Sequence, residues 1–164
     1  MTESFTQTEF RNALGSFATG VCIITTVGKN GQKVGMTANS FNSVSLTPPL
    51  ILWSIGKSTN CFDDFIAADA FAVHILAADQ QDLSNRFATT GEDRFGNIQC
   101  TDGLSGIPIL PHYSACFECK AANQFDGGDH IIMTGEVVRF SDNNWIHCYS
   151  IVAATTSFKS YELP

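Results

Sequence analysis

The first apolar positions of the chain recur at helical spacing. Thr6 and Glu9 stand three apart, as in a capping box, and Phe10, Leu14 and Phe17 follow at i, i+4 and i+7, with Ala13 and Ala18 alongside. This pattern predicts an amphipathic helix ending near Gly20. The period then changes. Val21-Cys22-Ile23-Ile24-Thr25-Thr26 is short and rich in β-branched residues, and a turn at Lys29-Asn30-Gly31 separates it from Val34-Gly35-Met36-Thr37. Together they read as a β-hairpin.

Residues 37–46 look extended but are unusually polar, and Pro48-Pro49 breaks the chain after them. Residues 50–55 are apolar on both faces, which predicts a buried strand at the sheet centre. A short helix is expected over 58–67, with Phe62, Phe65 and Ile66 on one side, then a strand over 71–76. Asp79 is placed to cap a helix carrying Leu83 and Phe87. Residues 89–106 show no period and contain four Gly, so they read as loop. Strands are expected over 115–120 and 131–140, and one or two more in the tail, 145–161.

Strands outnumber helices and most neighbours are joined by short connections. The expected fold is therefore mainly β, an antiparallel barrel or sandwich with peripheral helices. A doubly wound parallel sheet would need a long helix between nearly every pair of strands. No G-x-G-x-x-G follows a strand, so a Rossmann dinucleotide fold has no support. A chain of 164 residues suits a single domain over 1–164.

Composition narrows the function classes. Hydrophobic residues make up 44% and charged residues 15%, which is a globular balance. The 13 Phe must be covered by a core, a subunit interface or a ligand. Net charge is −7 and the nine Lys and Arg are scattered. A nucleic-acid partner, which would call for a basic stripe, is not expected. Nor is a membrane partner, since no segment reaches the roughly 18 to 20 apolar residues of a span. The start lacks the basic and apolar regions of a secretory signal, so a cytoplasmic location is expected. Cys116 and Cys119 have C-x-x-C spacing on a predicted strand, where residues three apart face opposite ways. They read as two unrelated thiols. No histidine spacing suggests a metal site.

Four places can carry chemistry. In residues 35–45, Thr37, Ala38, Asn39, Ser40, Ser43 and Ser45 bring hydroxyls, an amide and backbone N–H groups into an apolar setting. Such a stretch can hold a phosphate or a polar ring edge, or can be an edge strand with a satisfied hydroxyl ladder. Gly56-Lys57-Ser58-Thr59 opens the next predicted helix, where free N–H groups and the lysine suit an anion. The alternative there is an ordinary N-cap. Arg86, before Phe87, is either an exposed arginine or a phosphate clamp. His130 follows Gly127-Gly128-Asp129 at a strand mouth and is either a hydrogen-bonded structural residue or a ligand contact. His74, inside an apolar strand, reads as a satisfied interior histidine.

Read in order, these stretches resemble the flavin reductase-like family, the small partners of two-component flavin-dependent monooxygenases. The resemblance rests on Phe10-Arg11-x-Ala13 through Phe17-Ala18-Thr19-Gly20-Val21; Gly35-Met36-Thr37-Ala38-Asn39-Ser40-Phe41 through Ser43-Val44-Ser45; Pro48-Pro49; Lys57-Ser58-Thr59; Leu83-Ser84-Asn85-Arg86-Phe87; Gly106-Ile107-Pro108-Ile109-Leu110; and Gly128-Asp129-His130. Each is short, but the ordered set spans nearly the whole chain.

The resemblance implies a split β-barrel that binds FMN or FAD as a homodimer, takes NADH or NADPH as co-substrate and passes reduced flavin to a monooxygenase. It implies flavin-lining roles for Thr37, Ala38, Asn39, Ser40, Ser43 and Ser45. It places Lys57, Ser58, Thr59, Arg86 and Phe87 near the ribityl phosphate, and His130 at the nicotinamide as the catalytic-site histidine. The tail departs from the family pattern by lacking a turn glycine, so no role is carried to Tyr149 or Phe158. Two other readings stand beside it: a non-catalytic FMN-binding electron carrier, and an oxidase of the pyridoxamine-phosphate type. The latter would call for more basic residues than this chain has.

Overall fold

A computed structural model describes residues 5–143 and the backbone of 149–150. Helix α1 (Gln7–Leu14) starts as the capping box requires: Glu9 N donates to Thr6 Oγ1 at 3.2 Å and Thr6 N to Glu9 Oε2 at 2.8 Å. It ends well before Gly20, because Gly15 and Ser16 follow and neither favours continuing a helix. None of its residues is buried, and Phe10, Leu14 and Phe17, the apolar face of the predicted amphipathic helix, stand exposed.

The body is one antiparallel sheet. Its strands are β2 (Cys22–Val27), β3 (Lys33–Ala38), β4 (Asn42–Leu46), β5 (Pro49–Gly56), β6 (Ala70–Ile75), β9 (Ala115–Gly127) and β10 (His130–Asp142), in the order β3-β2-β6-β9-β10-β5-β4. Two small pairs flank it: β1 (Thr19–Gly20) with β11 (Tyr149–Ser150), and β7 (Thr101–Asp102) with β8 (Pro108–Ile109). The β11 pairing is the one described part of the tail; Phe158 and the Tyr149 side chain lie outside the described residues. Gly31, at φ +78°, makes the turn between β2 and β3 where the sequence pattern places it.

Strands β2 and β6 are covered on both faces, and their alternating residues enter different cores. Ile24, Phe71 and Val73 join Trp53, Ile55, Phe65 and Met133 in the main cluster. Ile23 joins Leu76, Phe87 and Leu110 in a second cluster, and Ala70 and Ala72 join Ile107 and Ile109 in a third. Strand β5, expected at the centre, lies one place from the β4 edge. It buries only Ile51, Trp53 and Ile55, while Leu50, Leu52 and Ser54 are half-buried on its other face.

The sheet curls until the end of β3 meets β5. Among the described residues no strand ladder closes this seam. Instead Ser40, just past β3, accepts from Ser54 N at 2.8 Å and donates to Ser54 O at 3.2 Å. The mainly β expectation holds.

The connections differ in detail from the sequence pattern. Helix α2 (Phe62–Ile66) begins after the Lys57-Ser58-Thr59 turn, not within it, and Cys61 rather than a hydroxyl residue stands at its N-cap. Helix α3 (Gln81–Ala88) is not capped by Asp79. Gln80 holds that position and folds back to accept from Ala77 N at 2.8 Å, while Asp79 pairs with His112 at 3.2 Å. Strands β9 and β10 run past their expected ends into a long hairpin turned at Gly128, φ +80°.

Candidate functional site

A groove of about 340 Å³ opens beside the seam. The end of β3 and the following turn supply Met36, Thr37, Ala38, Asn39 and Ser40; β5 and its turn supply Ser54, Gly56, Ser58 and Thr59; the tip of the β9–β10 hairpin supplies Asp129 and His130. Stretches far apart in the sequence meet here because β10 pairs with β5, setting His130 opposite Gly56.

The hydroxyls divide into two sets. Thr37 Oγ1 donates to Ser84 O at 2.6 Å, fixing α3 against β3, and Ser40 is engaged by Ser54. These two shape the wall. The side chains of Asn39, Ser58 and Thr59 line the groove with no hydrogen-bond partner among the described residues. They supply donors and acceptors of the kind a flavin edge and its ribityl chain demand.

His130 is held on one side. Its Nδ1 lies 2.7 Å from Asp129 Oδ1, and that hydrogen bond holds the Asp129 carboxyl below the usual carboxylate range. The Asp129 carboxylate accepts from Nδ1 and fixes the orientation of the ring. Nε2 faces Gly56, where an added Cβ would stand 3.5 Å from it and 3.3 Å from Thr59 Oγ1. The absent side chain at 56 keeps this end of the groove open.

The other expected site residues lie elsewhere. Ser43 and Ser45 are on the edge strand β4; Ser45 Oγ accepts from Thr47 N at 3.2 Å, and neither lines the groove. Arg86 is exposed and donates from Nη1 to Gly96 O at 3.1 Å. The Phe87 ring is wholly buried in the second core, 5.0 Å from Phe95 and edge-on to it, so it supports β3 from behind and offers no surface to a ligand. Lys57 sits between two groove-lining residues, but its ammonium pairs with Asp126.

Some contributors were not evident from residue type. Ser54 and Met36 line the groove as members of strands, and only the register places them there. Arg94, in a second Arg-Phe pair, donates to Gly35 O at 2.7 Å and Thr89 O at 3.2 Å, tying the loop after α3 to β3.

The remaining titratable groups read as structure. His74 is fully buried, with Nδ1 3.2 Å from Ile23 O and Nε2 accepting from Leu110 N at 3.2 Å. Burial pushes its pKa down to about 4, so it is neutral. Cys116 and Cys119 enter separate core clusters, and burial pushes both thiols up to about 12. Thiolate chemistry is thereby suppressed at both. Among the described residues no three His, Cys, Asp or Glu side chains converge as a metal site, and no helix is long and apolar enough to cross a membrane.

Residues 14–147 match the flavin reductase like domain family. The FMN reductase (NADH) SmoA of Agrobacterium fabrum is 48% identical over 130 residues, 79% of this chain and 74% of that protein. The reductase component of the flavin-dependent trigonelline monooxygenase of Acinetobacter baylyi is 43% identical over 133 residues, 81% of this chain. The chain spans only 43% of that longer relative. The crystal structure of the Streptomyces globisporus NADH:FAD oxidoreductase SgcE6, in complex with NAD and FAD fragments, superposes with a TM-score of 0.76 at 38% identity, covering 82% of this chain and 81% of that one.

Proposed function

The chain belongs to the flavin reductase like domain family, and on that premise we propose that it reduces FMN or FAD with NADH or NADPH and supplies the reduced flavin to a partner monooxygenase. The observation that carries the reading is the convergence of Thr37, Ala38, Asn39, Ser40, Ser58, Thr59 and His130 on one groove. Among the described residues, three of these side chains have no hydrogen-bond partner, and a glycine leaves the space beside His130 clear. These are the features a planar, polar-edged coenzyme would need.

When bound, flavin and nicotinamide supply the redox chemistry, a hydride passing from one to the other. What remains for the protein is position and electrostatics. Asn39, Ser58 and Thr59 bind polar edges. Thr37 and Ser40 hold the wall that presents them. His130, its ring held by Asp129, would hydrogen-bond the carboxamide of the nicotinamide and so orient it. No proton transfer from His130 is required.

We propose further that the protein works as a homodimer in the cytoplasm. Phe5, Phe10, Leu14 and Phe17 expose an apolar surface at the N-terminal helix, of a kind that a subunit interface covers. Sedimentation of the purified chain tests this, with a monomer the contrary result. For the activity, the chain is mixed with excess FMN or FAD and with NADH or NADPH. Consumption of many equivalents of nicotinamide per chain is expected. Consumption of a single equivalent would favour a flavin carrier instead.

A further inference from the structure

The two loops flanking the groove, 56–59 and 126–130, are joined twice. Lys57 N donates to Asp129 O at 2.9 Å, and the Lys57 ammonium pairs with the Asp126 carboxylate. Lys57 is the only Lys or Arg in either loop or among the groove-lining residues. The Lys57 and Asp126 side chains are 42% and 74% exposed, so the pair is well solvated and adds little to the stability of the fold. Its consequence is for ligands: the Lys57 ammonium, the one Lys or Arg charge in the two loops, already has an anionic partner.

Resting on the reading of the groove as a flavin site, we propose that Asp126 is a specificity-determining residue that lowers the preference for flavins carrying a phosphate. An incoming phosphate must displace the Asp126 carboxylate from Lys57 or share the ammonium with it. Asp129 adds a second negative charge to the same loop, though its carboxylate is engaged by His130. A neutral ligand such as riboflavin meets neither cost. Removing the Asp126 charge frees Lys57 for the phosphate and takes away a repulsion. At solvent-exposed distances the two effects amount to about a two- to tenfold change in affinity.

The test is fluorescence titration of the full chain with FMN and with riboflavin, for the unaltered protein, Asp126→Asn, Lys57→Gln and the double variant. Asp126→Asn is expected to tighten FMN about two- to tenfold and to leave riboflavin unchanged, with the gain shrinking as salt rises. In the Lys57→Gln background the gain disappears. An FMN-to-riboflavin ratio unaltered by Asp126→Asn overturns the inference, as does a gain of equal size without Lys57. Asp126→Ser repeats the measurement should the Asn variant fold poorly. Failure of the unaltered chain to bind either flavin is a different result, since it overturns the groove assignment itself.

Discussion

The Ser40 hydroxyl stands in for a backbone partner of Ser54, accepting its N–H at 2.8 Å and donating to its carbonyl at 3.2 Å. One side chain thus does for the seam what a strand ladder does elsewhere in the sheet. Ser40→Ala leaves both Ser54 groups to whatever water reaches a half-buried position. The expected loss is about 1–2 kcal/mol of stability, measured as a lower urea midpoint, together with weaker flavin binding because the wall beside Asn39 loosens. An unchanged midpoint would show that the seam does not depend on this hydroxyl.

His130→Ala separates the two ligands. Loss of one oriented hydrogen bond to the nicotinamide is worth about five- to tenfold. We expect the nicotinamide KM to rise by that factor while the flavin Kd stays within experimental scatter. Asp129→Asn, which can still accept from Nδ1 but without charge, should give a smaller rise. Equal losses for flavin and nicotinamide would point to a structural role for the ring.

Gly35 shows how tightly β3 is backed. A Cβ there would stand 2.7 Å from Phe87 Cε1 and 3.0 Å from Phe95 Cζ. Both rings are packed against each other and have little room to retreat. Gly35→Ala is expected to cost about 1–3 kcal/mol by overpacking, seen as a lower midpoint in chemical denaturation. A neutral result would mean that the loop carrying Phe95 moves at no cost.

Stability should fall on mild acidification, through His74. Burial, opposed by its hydrogen bond to Ile23 and the nearby Glu118 charge, lowers its pKa from 6.5 to about 4. The unfolded chain therefore takes up this proton first. The contribution is fully present above pH 6.5 and is lost as pH falls towards 4, on the order of 3 kcal/mol across that window. Glu118 acts lower. Its Arg139 hydrogen bonds hold the carboxyl below 4.5, so its contribution is present above that value and lost beneath it. Denaturation midpoints measured through pH 7 to 4 should decline, and His74→Asn should flatten the decline. A flat profile in the unaltered protein would exclude the assignment.

Most strands and the start of α1 were legible from period and capping, because those signals are local; the starts of α2 and α3 were not. What was not legible depended on distant partners. The capping box at Thr6 and Glu9 located α1, but amphipathy reports a face that needs cover and not what covers it, so core, interface and ligand stayed open for Phe10 and Phe17. Strand β5 read as central because a half-buried Leu52 and a buried Ile51 look alike in sequence. At the candidate site, hydroxyl density marked a stretch whose residues 37–40 line the groove. Whether a hydroxyl serves a ligand or the protein's own backbone was settled by Ser84 for Thr37 and by Ser54 for Ser40. Of the two Arg-Phe pairs, the pattern singled out Arg86-Phe87, yet the two rings meet and Arg94 is the one that bonds to β3.

The long hairpin ends in a tip that carries Asp126 and His130 on either side of one left-handed glycine. Both side chains are therefore mounted on a single lever. A residue inserted or deleted at positions 127–128 would disturb the imidazole and the carboxylate at once, so length changes there cannot reposition one while sparing the other. Diversification of this end of the molecule is channelled into exchanges of side chain at fixed length.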